Sequence, residues 1–408
     1  MDWGRGMDDF TSVRQSESHP DDSLSALAQR PISRRELLVR AASIGLSATA
    51  VGAILAACGK DAATPGATTQ AVSYSSAAPE DGVLHVYNWA EYLPESTKER
   101  FEEESGLKID ETYYDSNESL LAKLRAGATG YDVIVPSDYM VHVLWKSGLL
   151  LPLDMRLIPN YELYVGEQFK RPSYDDEATG AKYSVPYQWG TTGVAVQTAK
   201  VGRSVTKWAD LWDPDFSGDV IMLNDERETL GVGLLKNGHS INTTSQAELD
   251  IATTDLIAQK PLVQAYDSAN RKRSIIQGVP LVHCWSGDIA LSYWSDPDIY
   301  ERMTYVLPEE GFPMFVDNLC IPVGAPSPHA AHSFLDFILR PEVQGELSPW
   351  AGTYTPVPEA EPLARESDAE LFRFMPDAAT IESRGEPMDD VGEFAAQYQE
   401  AWHRVVSA

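Results

Sequence analysis

Positive charge is in short supply in this chain: 32 Lys and Arg stand against 61 Asp and Glu, for a net charge of −29. A surface that acidic repels nucleic acid and anionic lipid, and it concentrates cations in any cleft of the same sign. Cationic small molecules become the favoured ligand class. Catalytic signatures are missing too, with no Gly-x-Ser-x-Gly elbow and no His-Glu-x-x-His. Gly233 to Ser240 misses a phosphate loop because His239 stands where the lysine belongs. No histidine sits among the clustered acids to act as a base near neutral pH, which argues against a hydrolase. Internal repeats and long low-complexity tracts are absent. Cysteine is scarce, at positions 58, 284 and 320 only. With Cys58 assigned below, Cys284 and Cys320 are left either to pair, which needs Cα atoms within ~7 Å, or to stay as two buried thiols.

The apolar run from Ala41 to Ala57 is rich in Ala, Ser and Gly and shorter than the ~20 strongly apolar residues of a spanning helix. Ahead of it stands Ser33-Arg34-Arg35-Glu36-Leu37-Leu38, and behind it Leu55-Ala56-Ala57-Cys58. Paired arginines, a weakly hydrophobic stretch and small residues before a cysteine are expected of a twin-arginine export signal with lipidation and cleavage at Cys58. An uncleaved signal anchor explains Cys58 poorly. Residues 58–81, dominated by Thr, Ala, Gly and Ser, cannot bury enough apolar surface to fold and read as a tether. The first 57 residues carry seven acids and six arginines, so the remainder keeps a charge of −28. An extracytoplasmic, lipid-anchored protein is expected.

From Val83 onward short β-rich runs alternate with amphipathic helical patterns closed by glycine. The periodicity predicts strands at 83–89, 107–113 and 131–135, with helices at 95–104, 119–126 and 139–146. A second series brings strands at 220–223, 279–285, 303–307 and 315–323, with helices at 230–236 and 333–339. This rhythm predicts an α/β protein with a mainly parallel sheet, long enough for two lobes. In such sheets ligands lie beyond the carboxyl ends of strands. The segments Trp89 to Tyr92, Ser137 to Tyr139 and Tyr187 to Trp189 are polar or aromatic where a loop should begin.

Asp225 and Glu228 lie three apart after a predicted strand, so both can project from one side of a first helical turn. Acids there also complement the helix dipole, and that alone would explain them. Asp317, Glu91 and Asp138 taken singly read as solvated turn residues. Trp89, Tyr92, Tyr139, Trp285 and Phe315 stand near these acids or at other strand ends. Rings cover methylenes and attract cations by up to ~2 kcal/mol when desolvated, and carboxylates form charge-assisted hydrogen bonds of roughly 1.5–3 kcal/mol with ammonium groups. Acids at the ends with rings along the sides fit a linear polyamine in a cleft that is otherwise open and wet. A competing metal site is offered by His329, His332 and Asp336, one face of a helix that otherwise reads as solvated. Ca²⁺ in the acidic cleft would gain nothing from Trp89 and Trp285.

Tyr87-Asn88-Trp89-Ala90-Glu91-Tyr92, Val135-Pro136-Ser137-Asp138-Tyr139 and Ser204 to Trp212 resemble the spermidine/putrescine-binding proteins of bacterial ABC importers. So do Asp225-Glu226-Arg227-Glu228, Trp285-Ser286-Gly287, Asp317-Asn318-Leu319 and Tyr354-Thr355-Pro356, in the same order over about residues 82–402. The resemblance implies a two-lobed periplasmic-binding-protein clamp, type II-like, with the ligand cleft between the lobes. It implies amine-gripping roles for Glu91, Asp225, Glu228 and Asp317. Flanking rings would be Trp89, Tyr92, Tyr139 and Trp285, with polar contacts from Ser137 and Tyr354. Phe315 stands where the family often has tryptophan, Met388 where it has glutamine, Ala90 and Asp138 where it has threonine, and Asp288 where it has serine. An extra acid near the cleft and a lost amide leave ligand length and amine spacing open, and another amine-bearing solute fits the same fold.

The expected protein is thus no enzyme. It is a monomeric receptor without cofactor or metal, serving a permease and an ATPase that are separate chains. Lobe 1 is expected at 82–189 and 313–356, lobe 2 at 190–312 and 357–408.

Overall fold

The computed structural model describes residues 82–176 and 178–408. The expected export signal, lipidation site at Cys58 and tether lie outside the described residues. The described chain is a two-lobed α/β protein whose strands are β1 (Val83–Trp89), β2 (Lys108–Tyr114), β3 (Val133–Ile134), β4 (Ser184–Gln197) and β5 (Val220–Met222), then β6 (Val263–Tyr266), β7 (Leu281–Trp285), β8 (Met303–Val306), β9 (Phe312–Cys320) and β10 (Gly385–Pro387). They follow the order β2-β1-β3-β9-β4-β7-β5-β6, with β8 on β4 and β10 on β9.

The outer strands are parallel, as the strand-helix rhythm requires: β1 with β2 and β3, and β5 with β6 and β7. The centre is not. β4 runs antiparallel to β9 through residues 184–191, and antiparallel to β7 and β8 through 192–197. A mainly parallel sheet is therefore corrected to a mixed one. β8 and β9 both run antiparallel to β4, one after the other along it, so only a short loop and no crossover helix joins them.

All 14 residues of β4 are buried, so Tyr187 to Trp189 lie inside a strand and not in the expected loop. A strand buried on both faces loses the polar alternation that marks a half-exposed one, and SVPYQWGTTGVAVQ interrupts its apolar residues with Pro186, Gly190 and Gly193.

Local signals elsewhere set the helix ends. The helix Glu95–Ser105 stops where Gly106 adopts φ 75° and returns its N–H to Glu102; a side chain there would strain the backbone. Its one fully inward ring, Phe101, meets Phe334 and Phe337 edge-on at 5.1 and 5.3 Å, and burying it contributes roughly 1.5–3 kcal/mol. These three belong to the core that joins β1, β3 and the helices Pro328–Ile338 and Pro341–Ala351. That packing also corrects the reading of Pro328–Ile338 as a solvated or metal-bearing stripe. His332 is buried, and its Nε2 accepts the Asp154 N–H at 2.9 Å, while Asp336 accepts the Asn160 N–H at 2.8 Å. Cys284 and Cys320 are both buried and free.

Candidate ligand site

The carboxylate of Asp317 is held at one station along β4. Residue 317 lies in β9 opposite Gln188 of β4 and bridges Ser137 beyond β3. The Tyr92 hydroxyl donates to Oδ2 at 2.7 Å and the Ser137 hydroxyl to Oδ1 at 2.6 Å. Ser137 is in turn fixed by Asn117, whose amide donates to Oγ at 3.0 Å and accepts the Ser137 N–H at 3.1 Å. Asp317 is only 6% exposed, which corrects the picture of a solvated turn residue. Burial pushes its pKa up to about 6, against the two hydroxyl donors that favour the anion.

The second station lies four residues further along β4. Thr192, opposite Trp285 of β7, donates its hydroxyl to Glu228 Oε1 at 3.0 Å, and the Trp285 indole N–H donates to the same oxygen at 2.8 Å. Glu228 is 5% exposed, and its other oxygen has no hydrogen-bond partner among the described residues. Burial first, then the nearby Asp225 charge, push its pKa up to about 8. Asp225 is the N-cap of the helix Glu226–Lys236 and accepts the Glu228 N–H at 3.0 Å. Capping and site membership thus coincide in one residue. Burial raises its pKa as well.

Two further acids complete this station. Glu118 accepts the Tyr139 hydroxyl at 2.9 Å, and burial together with the Asp225 charge raises its pKa to about 6. Glu226 is raised to about 7 by burial and by Glu118 and Asp225. Neither was singled out in the sequence as a contact. Glu226 sits inside the Asp225–Glu228 motif and was legible there. Glu118 reads as an ordinary first-turn acid behind the Ser116 cap, as Asn117 and Thr192 read as ordinary polar residues.

Among the described residues, Asp138, Asp225, Glu228 and Asp317 make no ion pair with the protein's own cations. The expected open and wet cleft is replaced by carboxyls buried among hydroxyls and indoles, whose proton affinity rises in place of a salt bridge. Asp138 illustrates the cost: it accepts the N–H groups of Tyr139 at 2.9 Å and Val316 at 3.3 Å, yet burial still drives its pKa well upward.

The rings fall into place unevenly. Tyr92 stacks edge-on with Tyr187 at 5.3 Å beside Asp317. Trp89 is partly buried, donating its indole N–H to Val135 at 2.9 Å and meeting Tyr114 at 4.5 Å. Tyr139 lies 5.3 Å from the guanidinium of Arg227. Phe315 rests on Gly190, where any Cβ would collide with its ring and with Ser286 Oγ. Tyr354 is fully buried, bridged by its backbone to Trp189, with the two rings 4.8 Å apart. Met388 is buried in the same apolar cluster as Tyr139.

One expected contact, Glu91, and one departure from the family pattern, Asp288, are engaged by protein cations. Glu91 is exposed, not enclosed with the other acids, and its carboxylate meets Lys272 Nζ at 3.0 and 3.2 Å. Asp288 adds no free charge to the site, because Arg271 pairs with it at 2.7 Å and the Trp285 N–H donates to it at 3.0 Å.

The family model for bacterial extracellular solute-binding proteins matches residues 96–372. The chain is 33% identical over 331 residues to the spermidine/putrescine-binding periplasmic protein of Salmonella typhimurium, covering 80% of this chain and 92% of that one. It is 31% identical over 323 residues to the putrescine/cadaverine-binding protein of Pseudomonas aeruginosa, covering 76% and 88%. The crystal structure of the TpPotD lipoprotein of Treponema pallidum superposes with a TM-score of 0.69 at 29% identity, over 79% of this chain and 99% of that one. With the matched segment spanning both stations of carboxylates, the chain belongs to the bacterial extracellular solute-binding proteins.

Proposed function

We propose that this protein is a receptor outside the cytoplasm that closes on a linear polyamine, spermidine or putrescine, and delivers it to the permease of an ABC importer. The observation that carries the reading is Glu228: a buried carboxyl, held on one oxygen by Trp285 and Thr192 and unpartnered on the other, beside Asp225. An ammonium group satisfies that oxygen and offsets the burial of the charge. Asp317, in β9 opposite Gln188 and so four β4 residues from Thr192, provides the matching station for a second amine. The relatives named for binding spermidine, putrescine and cadaverine support the same class.

Closure and affinity are one event in this reading. Bringing the lobes together excludes water, so amine–carboxylate attraction strengthens in the lower dielectric while rings pack the methylenes. The lobes we assign are 82–189 with 313–356, and 190–312 with 357–408. The change of partner along β4, from β9 up to residue 191 to β7 and β8 from 192, supports a crossing there. Capture and release involve no covalent step, cofactor or metal, and we take the receptor to act as a monomer.

Anchoring through lipid at Cys58 after twin-arginine export completes the proposal, and a lipoprotein among the similar structures supports it. Cys58→Ala is expected to release the protein from the membrane fraction; retention there would mean that the signal segment stays attached.

Calorimetric titration of the chain from residue 82 with spermidine, putrescine, spermine, a basic amino acid and Ca²⁺ tests the ligand class. Saturable binding of a polyamine near micromolar is expected. Folded protein that binds only the amino acid or Ca²⁺ overturns the polyamine assignment.

A further inference from the structure

The helix Arg271–Ile276 sets two cations against side chains that the ligand would otherwise use. The Arg271 guanidinium lies 4.1 Å from the Trp285 ring centroid while its Nε pairs with Asp288 at 2.7 Å. One residue on, Lys272 places its ammonium 3.0 and 3.2 Å from the two oxygens of Glu91. Glu91 reaches this position from the turn after β1, with φ 55°, the only positive φ at a non-glycine among the described residues. Both side-chain contacts of Glu91 go to this one lysine, although the carboxylate itself is exposed. The pair lines an open groove of about 460 Å³ with Leu291, Trp294, Glu346 and Trp350, so Lys272 has room to move without disturbing the core.

Resting on the polyamine reading, we propose that Lys272 is a specificity-determining residue: it acts as an internal ammonium that satisfies Glu91 and leaves the cleft two carboxylate stations, favouring a diamine over a triamine. A diamine matches Asp317 at one end and Asp225 with Glu228 at the other. Lys272 follows Arg271, which lies over Trp285 of one station, and Glu91 precedes Tyr92 of the other. A third ammonium reaching past either station therefore meets Lys272 instead of a free carboxylate, and like charges repel. A lysine in this role differs from one that stabilises the fold, because its removal changes the ranking of ligands and not their common affinity.

The test is titration of wild type, Lys272→Gln and the double variant Lys272→Gln with Glu91→Gln, each with putrescine and with spermidine. Freed of its lysine, Glu91 is expected to raise spermidine affinity relative to putrescine at least about threefold, the scale of a rim charge. The double variant is expected to lose that gain, because the carboxylate is gone. A Lys272→Gln protein with an unchanged ratio overturns this proposal and leaves the polyamine reading standing, as does a gain that survives in the double variant. A wild type that binds neither amine overturns both.

Discussion

Tyr92 and Asp317, 225 residues apart in the chain, meet through a 2.7 Å hydrogen bond from the phenol to the carboxylate. Tyr92 follows β1 and Asp317 lies in β9, and β3 stands between the two strands in the sheet. The contact therefore reports that the first and last thirds of the chain have assembled around one acid. Ser137 closes the other side of the same carboxylate. Burial penalises the charge that these donors support, so Asp317 is poised between proton and cation.

Asp317→Asn tests that poise. The amide keeps the shape and loses the charge, so polyamine affinity is expected to fall more than about tenfold, or ~1.4 kcal/mol. Stability is expected to hold, since a buried carboxyl without an ion pair is exchanged for a neutral group. Calorimetry and thermal melting read the two effects separately, and unchanged affinity removes Asp317 from the site.

The raised carboxyl pKa values give a signed pH dependence. Glu228 titrates near pH 8 in the folded protein and near ~4.3 unfolded, so the folded chain holds the extra proton in between. Its contribution to stability is fully present below the unfolded value and is lost as pH rises through about 8. Asp317 behaves alike between ~3.9 and about 6. Without ligand, the melting temperature should fall from pH 5 to 8.5, roughly speaking, and Glu228→Gln should flatten that slope. Polyamine affinity should run the opposite way, since ammonium needs the ionised form. Proton release seen as a buffer-dependent binding enthalpy checks the linkage, and its absence means these acids are already charged.

Gly190→Ala probes the floor under Phe315. The added Cβ collides with the Phe315 ring and with Ser286 Oγ, and Ser286 Oγ accepts the Thr191 N–H at 3.3 Å. Overpacking of this kind costs about 1–3 kcal/mol. Denaturant titration should show that loss, with weaker ligand binding; wild-type values for both would mean that Phe315 moves aside freely.

Cys284 and Cys320 are expected to resist a thiol reagent in the folded protein and to react, both of them, in denaturant. Each is buried, and burial drives each thiol pKa well upward. Denatured protein with no reactive thiol would reveal a disulfide.

Periodicity and glycine stops were enough to read β1 at its bounds, the helix Glu95–Ser105 and the acidic turn before Glu226–Lys236, because those signals are local. Composition by itself favoured a cationic ligand, and the ordered motifs from Trp89 to Tyr354 carried the family resemblance. What the sequence could not determine was anything set by long-range pairing. β4 mixes Pro, Gly and Thr with apolar residues and becomes a strand because neighbours on both sides bury it. Asp317 becomes a buried acid, and not a turn residue, because β9 carries it between Tyr92 and Ser137. Glu91, identical in kind to Glu228 on paper, is drawn outward to Lys272 by a turn and a helix 181 residues apart. Local propensity acts over a few residues, whereas the charge state and partner of a carboxylate depend on which distant groups the fold brings within hydrogen-bonding distance, and only the tertiary structure decides that.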